Sequence, residues 1–350
     1  MNIPLIRLLN QQISSQQFDK PEKVVEWMGA IQAQDPKAAQ WAVGLRTRKS
    51  TKTIVSDALR QGKIIRIHVM RPTWHFVASQ DVRWLLRLTR DNNERVYSSY
   101  LKSTGVTITE RDYKRSADML RFVLQGGKQL NVSQLSDAFH GSGLPDDERH
   151  IKGYLWRGES REVVCGGDII DGKVTFRLLD ELVHADDATN REEALATLAT
   201  KYFRSHSPAT EQDFIWWTGL SAADARRAIS LISQDLHTVL VGDRKLLVHT
   251  DCRTRGRLAD NVTLLPPYDE YMLGYKDRTD VLPKELQHLA FNSRGIFQRI
   301  LVQSGQVVAN WNEKRTANGV NIGFSYFRQS PAANELAIAK AVERYIQFNK

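Results

Sequence analysis

One order of segments recurs along this 350-residue chain and limits what it can fold into. A helical stretch is followed by a short helix, another helix, and two strand-like runs joined by a tight turn. In the first copy Pro21 stands at a helix N1 position, and Val24, Val25, Met28 and Ile31 follow helical spacing. Residues 53–61 read as a short helix stopping before Gly62. Residues 63–69 and 74–77 then read as strands, joined through Met70-Arg71-Pro72-Thr73. In the second copy, 111–125, 131–139 and 147–158 read as helices, and 161–165 pairs with 173–178 around Asp171-Gly172. In the third, 191–205, 210–217 and 221–233 are helical, and 236–241 pairs with 245–249 around Gly242-Asp243. Ser133 and Thr210 lie 77 residues apart, Asp171 and Gly242 lie 71 apart, so the spacing is a repeat within loop-length tolerance.

Helix, short helix, helix, hairpin is the order of a helix-turn-helix followed by a β-wing. The expected fold class is α+β, with three tandem winged-helix modules at 1–105, 106–185 and 186–255. Beyond residue 256 short strand-like runs dominate: 262–265, 297–302, and 306–311 after a turn at Ser304-Gly305. Residues 256–350 read as a small β-rich, barrel-like C-terminal domain closed by a helix over 330–348. A long helix from about Ser79 carries Arg83, Arg87 and Arg90 along one side.

The charge is unevenly spread. Of 49 Lys+Arg and 40 Asp+Glu, residues 1–105 hold 17 and 8, so the net +9 of the whole chain equals that of its first third. A basic module on a neutral body points to a localised polyanion site, most simply nucleic acid; the plain alternative is a solubility surface. No run of about 18 apolar residues exists and residues 1–12 contain no leader-like apolar core, so no membrane partner and a cytoplasmic location are expected. Cys165 and Cys252 are too few for a disulfide framework and are expected to be reduced. Phosphate-binding glycine loops, HExxH, CxxC and GxSxG are absent, and the nine histidines lack metal-ligand spacing; neither cofactor nor metal is expected.

The most unusual local feature is Gln32-Ala33-Gln34-Asp35-Pro36, which reads as a helix end with two amides at i and i+2. An amide pair offers donors and acceptors without charge. It can hold a water and stabilise a sugar, but it is no strong base. It suits a reaction whose leaving group is already activated, such as loss of a cationic alkylated base from deoxyribose. The plain reading is a solvated helix terminus. His75 is a candidate for touching phosphate or base, or a packed histidine. Arg46, Arg66 and Arg71 are candidate phosphate contacts, or surface charges. Trp216-Trp217 reads as core or as a stacking platform. Asp269-Glu270 reads either as paired catalytic acids or as a structural turn that binds backbone groups and arginines.

Taken together, five segments carry a resemblance. They are Gln32-Ala-Gln-Asp-Pro running into Trp41-Ala-Val-Gly-Leu-Arg, Val69-Met-Arg-Pro-Thr-Trp-His-Phe-Val, Asp81-Val-Arg-Trp-Leu, Leu264-Leu-Pro-Pro-Tyr-Asp-Glu-Tyr-Met-Leu-Gly-Tyr, and Gly295-Ile-Phe through Gly305-Gln-Val-Val-Ala-Asn-Trp. The sequence resembles the bacterial winged-helix DNA-binding family containing the AlkZ-like alkylpurine and interstrand-crosslink DNA glycosylases. The resemblance implies three winged helices and a barrel-like domain around a concave channel for double-stranded DNA, in a monomer associated with the nucleoid. It also implies a catalytic Gln-apolar-Gln element, matched here by Gln32 and Gln34. One amide would hold the attacking water and both would stabilise an oxocarbenium-like sugar. Pro72 departs from the glycine more usual in the family and stiffens the turn before His75. The expected function is a monofunctional glycosylase releasing N7-substituted purines, extending to crosslink unhooking. Two alternatives are a non-catalytic winged-helix DNA-binding or regulatory protein and an RNA-binding protein.

Overall fold

The computed structural model describes residues 1–184, 189–256, 262–316, 319–328 and 334–350. By contact the chain divides into two compact units, one of Met1–Ser56 with Leu195–Lys350 and one of Asp57–Ala194. The divisions expected at 105 and 185 fall inside the second unit, and the one at 255 falls inside the first. Among the described residues no helix is long and apolar enough to cross a membrane.

The Asp57–Ala194 unit is built on an antiparallel sheet in which the strands run Thr73–Ala78, Ile64–Val69, Val164–Ile170, Lys173–Leu178, Leu130–Asn131 from one side to the other. The hairpin turn at Asp171-Gly172 has positive φ at both positions (50° and 76°), as a two-residue turn matched to strand twist demands. Where the two hairpins meet, Arg66 lies opposite Gly166, and a Cβ on Gly166 would sit 2.9 Å from the Arg66 carbonyl oxygen. The helices Glu110–Leu124, Val132–Phe139 and Glu148–Ser160 close one core with Leu120, Leu124, Leu135, Phe139, Ile151 and Tyr154. Their starts are capped by Thr109, Asn131 and Asp147, whose side chains satisfy the first free N–H groups. The long helix Val82–Ser103 presents Arg83, Arg87 and Arg90 to a single carboxylate, Glu162, at 2.9–3.1 Å.

In the other unit the helices Ile3–Asn10, Pro21–Met28 and Pro36–Gly44 come from the start of the chain; the second and third open with proline, and the first has Pro4 at its second position. The helices Arg191–His206, Glu211–Thr218 and Ala222–Leu231 and the hairpin Leu236–Val241 with Arg244–His249 come from the later part. With the helix Lys52–Arg60 following Pro36–Gly44 and leading into the Ile64–Val69 and Thr73–Ala78 hairpin, the order of three helices and a hairpin occurs three times along the described residues. In the first copy the middle helix Pro36–Gly44 begins three residues after the two-residue strand Ile31–Gln32.

The C-terminal region corrects the barrel-like expectation. Its four strands form an open antiparallel sheet in the order Gly319–Tyr326, Gln306–Thr316, Ile300–Gln303, Val262–Leu265. The helix Glu335–Phe348 packs against Val262–Leu265, covering apolar surface that a closed barrel would bury on itself. The expected helix start at Ser330 lies outside the described residues. Two indole N–H groups tie the sheet in place: Trp41 donates to the Leu264 carbonyl at 2.7 Å and Trp311 to that of Leu265 at 2.8 Å. Gly44 closes the contact, since a Cβ there would lie 2.1 Å from the Phe348 ring.

Candidate active site

The Gln32-Ala33-Gln34 segment is not a helix end. The helix before it stops at Met28, and Gly29 turns the chain with φ of 80°. A side chain at position 29 would press on Lys201 at 3.2 Å as well as strain the backbone. The chain then runs extended through Ile31–Gln32 and enters the next helix at Pro36. Asp35 caps that helix, accepting from the N–H groups of Lys37 and Ala38. Ala33 is fully buried, Gln32 is 6% exposed and Gln34 is exposed.

Behind Gln32 lies a carboxylate that nothing in its sequence neighbourhood provides. The backbone N–H of Gln32 donates to Glu270 Oε1 at 2.8 Å. The other oxygen, Oε2, accepts from Trp217 Nε1 at 2.9 Å and stands 3.6 Å from His206 Nε2. Glu270, Trp217 and His206 are fully buried. Burial drives the His206 imidazole below its ordinary pKa, against the pull of Glu270. His206 is held by Ser205 Oγ on Nδ1 at 2.8 Å and stacks on Tyr202 with 4.7 Å between ring centres. Gly274 admits it, because a Cβ at 274 would meet the imidazole at 2.6 Å.

Next along the chain, Asp269 caps the short helix Glu270–Leu273 and grips Arg46 through two bonds, 2.8 Å to Nη1 and 2.7 Å to Nη2. Arg46 also donates to Gln11 Oε1, and Gln11 donates to the Tyr275 hydroxyl. Tyr275 in turn donates to the His206 carbonyl at 2.8 Å. Polar groups from the first 50 residues and from 206–275 thus form one buried assembly. Asp269 and Glu270 serve as anchors for neighbouring backbone and for an arginine, the second of the two readings their sequence allowed.

The candidate residues are placed unequally. Gln32, Gln34 and Arg46 belong to one unit; Arg66, Arg71 and His75 belong to the other, on its Ile64–Val69 and Thr73–Ala78 hairpin. Arg46 is fully buried in its ion pair and has no face to offer a phosphate. Arg66 is 6% exposed and lies with its guanidinium carbon 3.8 Å from the centre of the Trp74 ring. His75 is buried, its Nδ1 2.8 Å from the Thr73 carbonyl. Arg71 is half-buried in a turn where it and Met70 both have positive φ (29° and 42°), an uncommon pair for residues with side chains. Arg66 with Trp74, Ser133, Ser136 and Lys173 lines a cleft of about 520 Å³. Among the described residues no cluster of His, Cys, Asp and Glu could hold a metal ion.

Folding also redistributes the charge. The unit holding the glutamines contains 28 Lys+Arg and 19 Asp+Glu, whereas the Asp57–Ala194 unit has 21 of each. The whole net +9 therefore stays with the glutamines, but about half of it comes from residues beyond 194, not from the first third alone. The helix arginines that swelled the N-terminal count are consumed by Glu162 and Asp180.

The chain matches the family described as DNA glycosylase AlkZ-like over residues 25–348. Among solved structures it is similar to the Streptomyces sahachiroi DNA glycosylase AlkZ, with a TM-score of 0.79 at 20% identity, over 99% of this chain and 95% of that one. No curated protein matches it.

Proposed function

Because the chain belongs to the AlkZ-like DNA glycosylase family, we propose that it is a monofunctional DNA-repair glycosylase in which Gln32 and Gln34 act on the N-glycosidic bond of N7-alkylated purines. The observation that carries this reading is the amide pair itself, one glutamine locked by Glu270 and the other exposed two residues along, in the unit with all the excess positive charge. The substrate dictates what the protein needs. N7-alkylation places a positive charge on the base, so cleavage of the C1′–N9 bond releases a neutral purine and needs no acid to protonate it. What remains is to hold a water below C1′ and stabilise the cationic sugar. A carboxamide oxygen accepts from that water and presents a negative dipole end to the developing charge, without the desolvation cost of burying another carboxylate. The same bond is broken when a purine belongs to an interstrand crosslink, so unhooking requires room and not new chemistry. The three repeats of helix, helix, helix and hairpin serve as winged-helix modules that hold double-stranded DNA, with the protein acting as a monomer on cytoplasmic, nucleoid DNA. Arg71 stands at a hairpin turn where a phosphate can approach.

The test is incubation of the purified protein with duplex DNA containing N7-methylguanine, scoring free base. Release is expected from the wild type and is expected to fall about 100-fold or more in Gln32→Ala and in Gln34→Ala, the scale set by loss of one preorganised transition-state contact. Tight DNA binding with no base released by the wild type would overturn the assignment.

A further inference from the structure

We infer that Glu270 is a positioning residue for the active site, holding the backbone at Gln32 so that the Gln32 carboxamide meets its substrate in one pose. The inference rests on the reading of Gln32 as a catalytic amide and adds to it a residue 238 positions away that touches no substrate. Three observations converge. Glu270 is fully buried, and its Oε1 is 2.8 Å from the Gln32 nitrogen. A bond from an N–H to a carboxylate is roughly twice as strong as one to a neutral acceptor. The carboxylate is itself braced: Trp217 holds Oε2, and the short helix it begins is pinned by the Asp269 cap, by Tyr271 donating to the Gly305 carbonyl at 2.8 Å, and by Arg278 donating to the Met272 carbonyl at 2.7 Å. Finally, the group it grips is the backbone of Gln32. Fixing that atom leaves the pose of the carboxamide to the glutamine's own torsions alone. A displacement of about 1 Å at a reacting group is enough to cost about 100-fold in rate.

Glu270→Gln tests this with almost no change in shape. The amide retains one acceptor oxygen, but its NH₂ cannot accept, so a donor facing that position loses its partner. Glu270→Asp is the companion variant; it keeps the charge and withdraws it by one methylene. Val302→Ala, in the C-terminal sheet, supplies a control that loses stability through a small cavity. Four quantities are measured on each full-length protein: melting temperature, duplex affinity, single-turnover release of N7-methylguanine, and hydrogen exchange in the peptide spanning Ile31 to Gln34. At least one Glu270 variant is expected to release base about 10–100-fold more slowly, in line with lost positioning, with affinity within about twofold and faster exchange at 31–34. Val302→Ala is expected to keep both the rate and the local exchange at an equal or larger drop in melting temperature. Wild-type rates and exchange in both folded Glu270 variants would overturn the inference, as would a rate loss that Val302→Ala reproduces. If the wild type itself releases no base, the functional assignment fails first and takes this role with it, so the two failures are distinguishable.

Discussion

Arg46 is worth most to the molecule where it is least visible. It sits fully buried, with both Nη atoms on Asp269 and a third bond to the Ala42 carbonyl. Removing one member of a buried pair strands the other charge, which costs about 3–5 kcal/mol. Arg46→Ala is therefore expected to lower the unfolding free energy by that amount in urea titration, and to abolish base release only through loss of the fold. A variant with native stability would show that Asp269 finds another partner. The residue identities were legible in the sequence, whereas their assignments were not. Gln32 and Gln34 were singled out by their spacing, and Asp269-Glu270 by their adjacency. What linked them, a bond across 238 positions, is a property of tertiary packing that no local pattern carries. Arg46 and Arg66 meet the same limit. An isolated arginine in a basic stretch looks like a surface charge, and burial with a carboxylate or an indole from elsewhere leaves no local trace.

At the scale of elements, periodicity and capping served well. The spacing located Glu110–Leu124, Val132–Phe139 and Glu148–Ser160 within one or two residues, because each start has a side chain that satisfies free N–H groups. The helix Pro36–Gly44 is not legible because the preceding apolar spacing runs on through Ile31 and hides the stop at Gly29. The three arginines on the Val82–Ser103 helix were seen as one face, but their target lay 72–79 residues further on. That cluster makes a pH prediction. Burial pushes the Glu162 carboxyl up, but Arg87 and Arg83 outweigh it and hold it below its ordinary value. A carboxylate with a depressed folded pKa contributes stability that is present above its unfolded pKa and lost as pH falls through the folded one. Melting curves of the wild type are expected to drop as pH falls below about 4.5, the usual glutamate range. Glu162→Gln should be less stable at pH 7 and show a shallower acid slope; parallel slopes would refute the coupling. In the same unit, Gly166→Val is expected to destabilise the sheet by more than about 1 kcal/mol, since its Cβ meets backbone and not a movable side chain.

For the molecule as a whole, the charge arithmetic has a measurable consequence. If the unit with net +9 takes up duplex DNA through its phosphates, the logarithm of affinity falls linearly with that of salt concentration, with a slope of about −0.9 per phosphate engaged. A slope near zero would remove the electrostatic part of the functional reading. The unit's construction from two distant stretches also makes the end of the chain structural: Trp41 packs on Tyr345 and Phe348, with ring centres 5.3 and 5.1 Å away. Deleting the helix Glu335–Phe348 should therefore expose the first 50 residues to proteolysis; a digestion pattern like that of the full chain would show that helix to be dispensable.

The meeting of Gly44 with Phe348 sets a schedule for the ribosome. At about 5–20 residues per second, roughly 15–60 s separate the emergence of Gly44 from that of the Phe348 ring it meets. The segment 57–194 is wholly synthesised within that interval, and its core needs nothing that comes later. A chain without the helix Glu335–Phe348 leaves Trp41 without the rings that cover it, so the unit holding the glutamines is expected to close only once that helix is made.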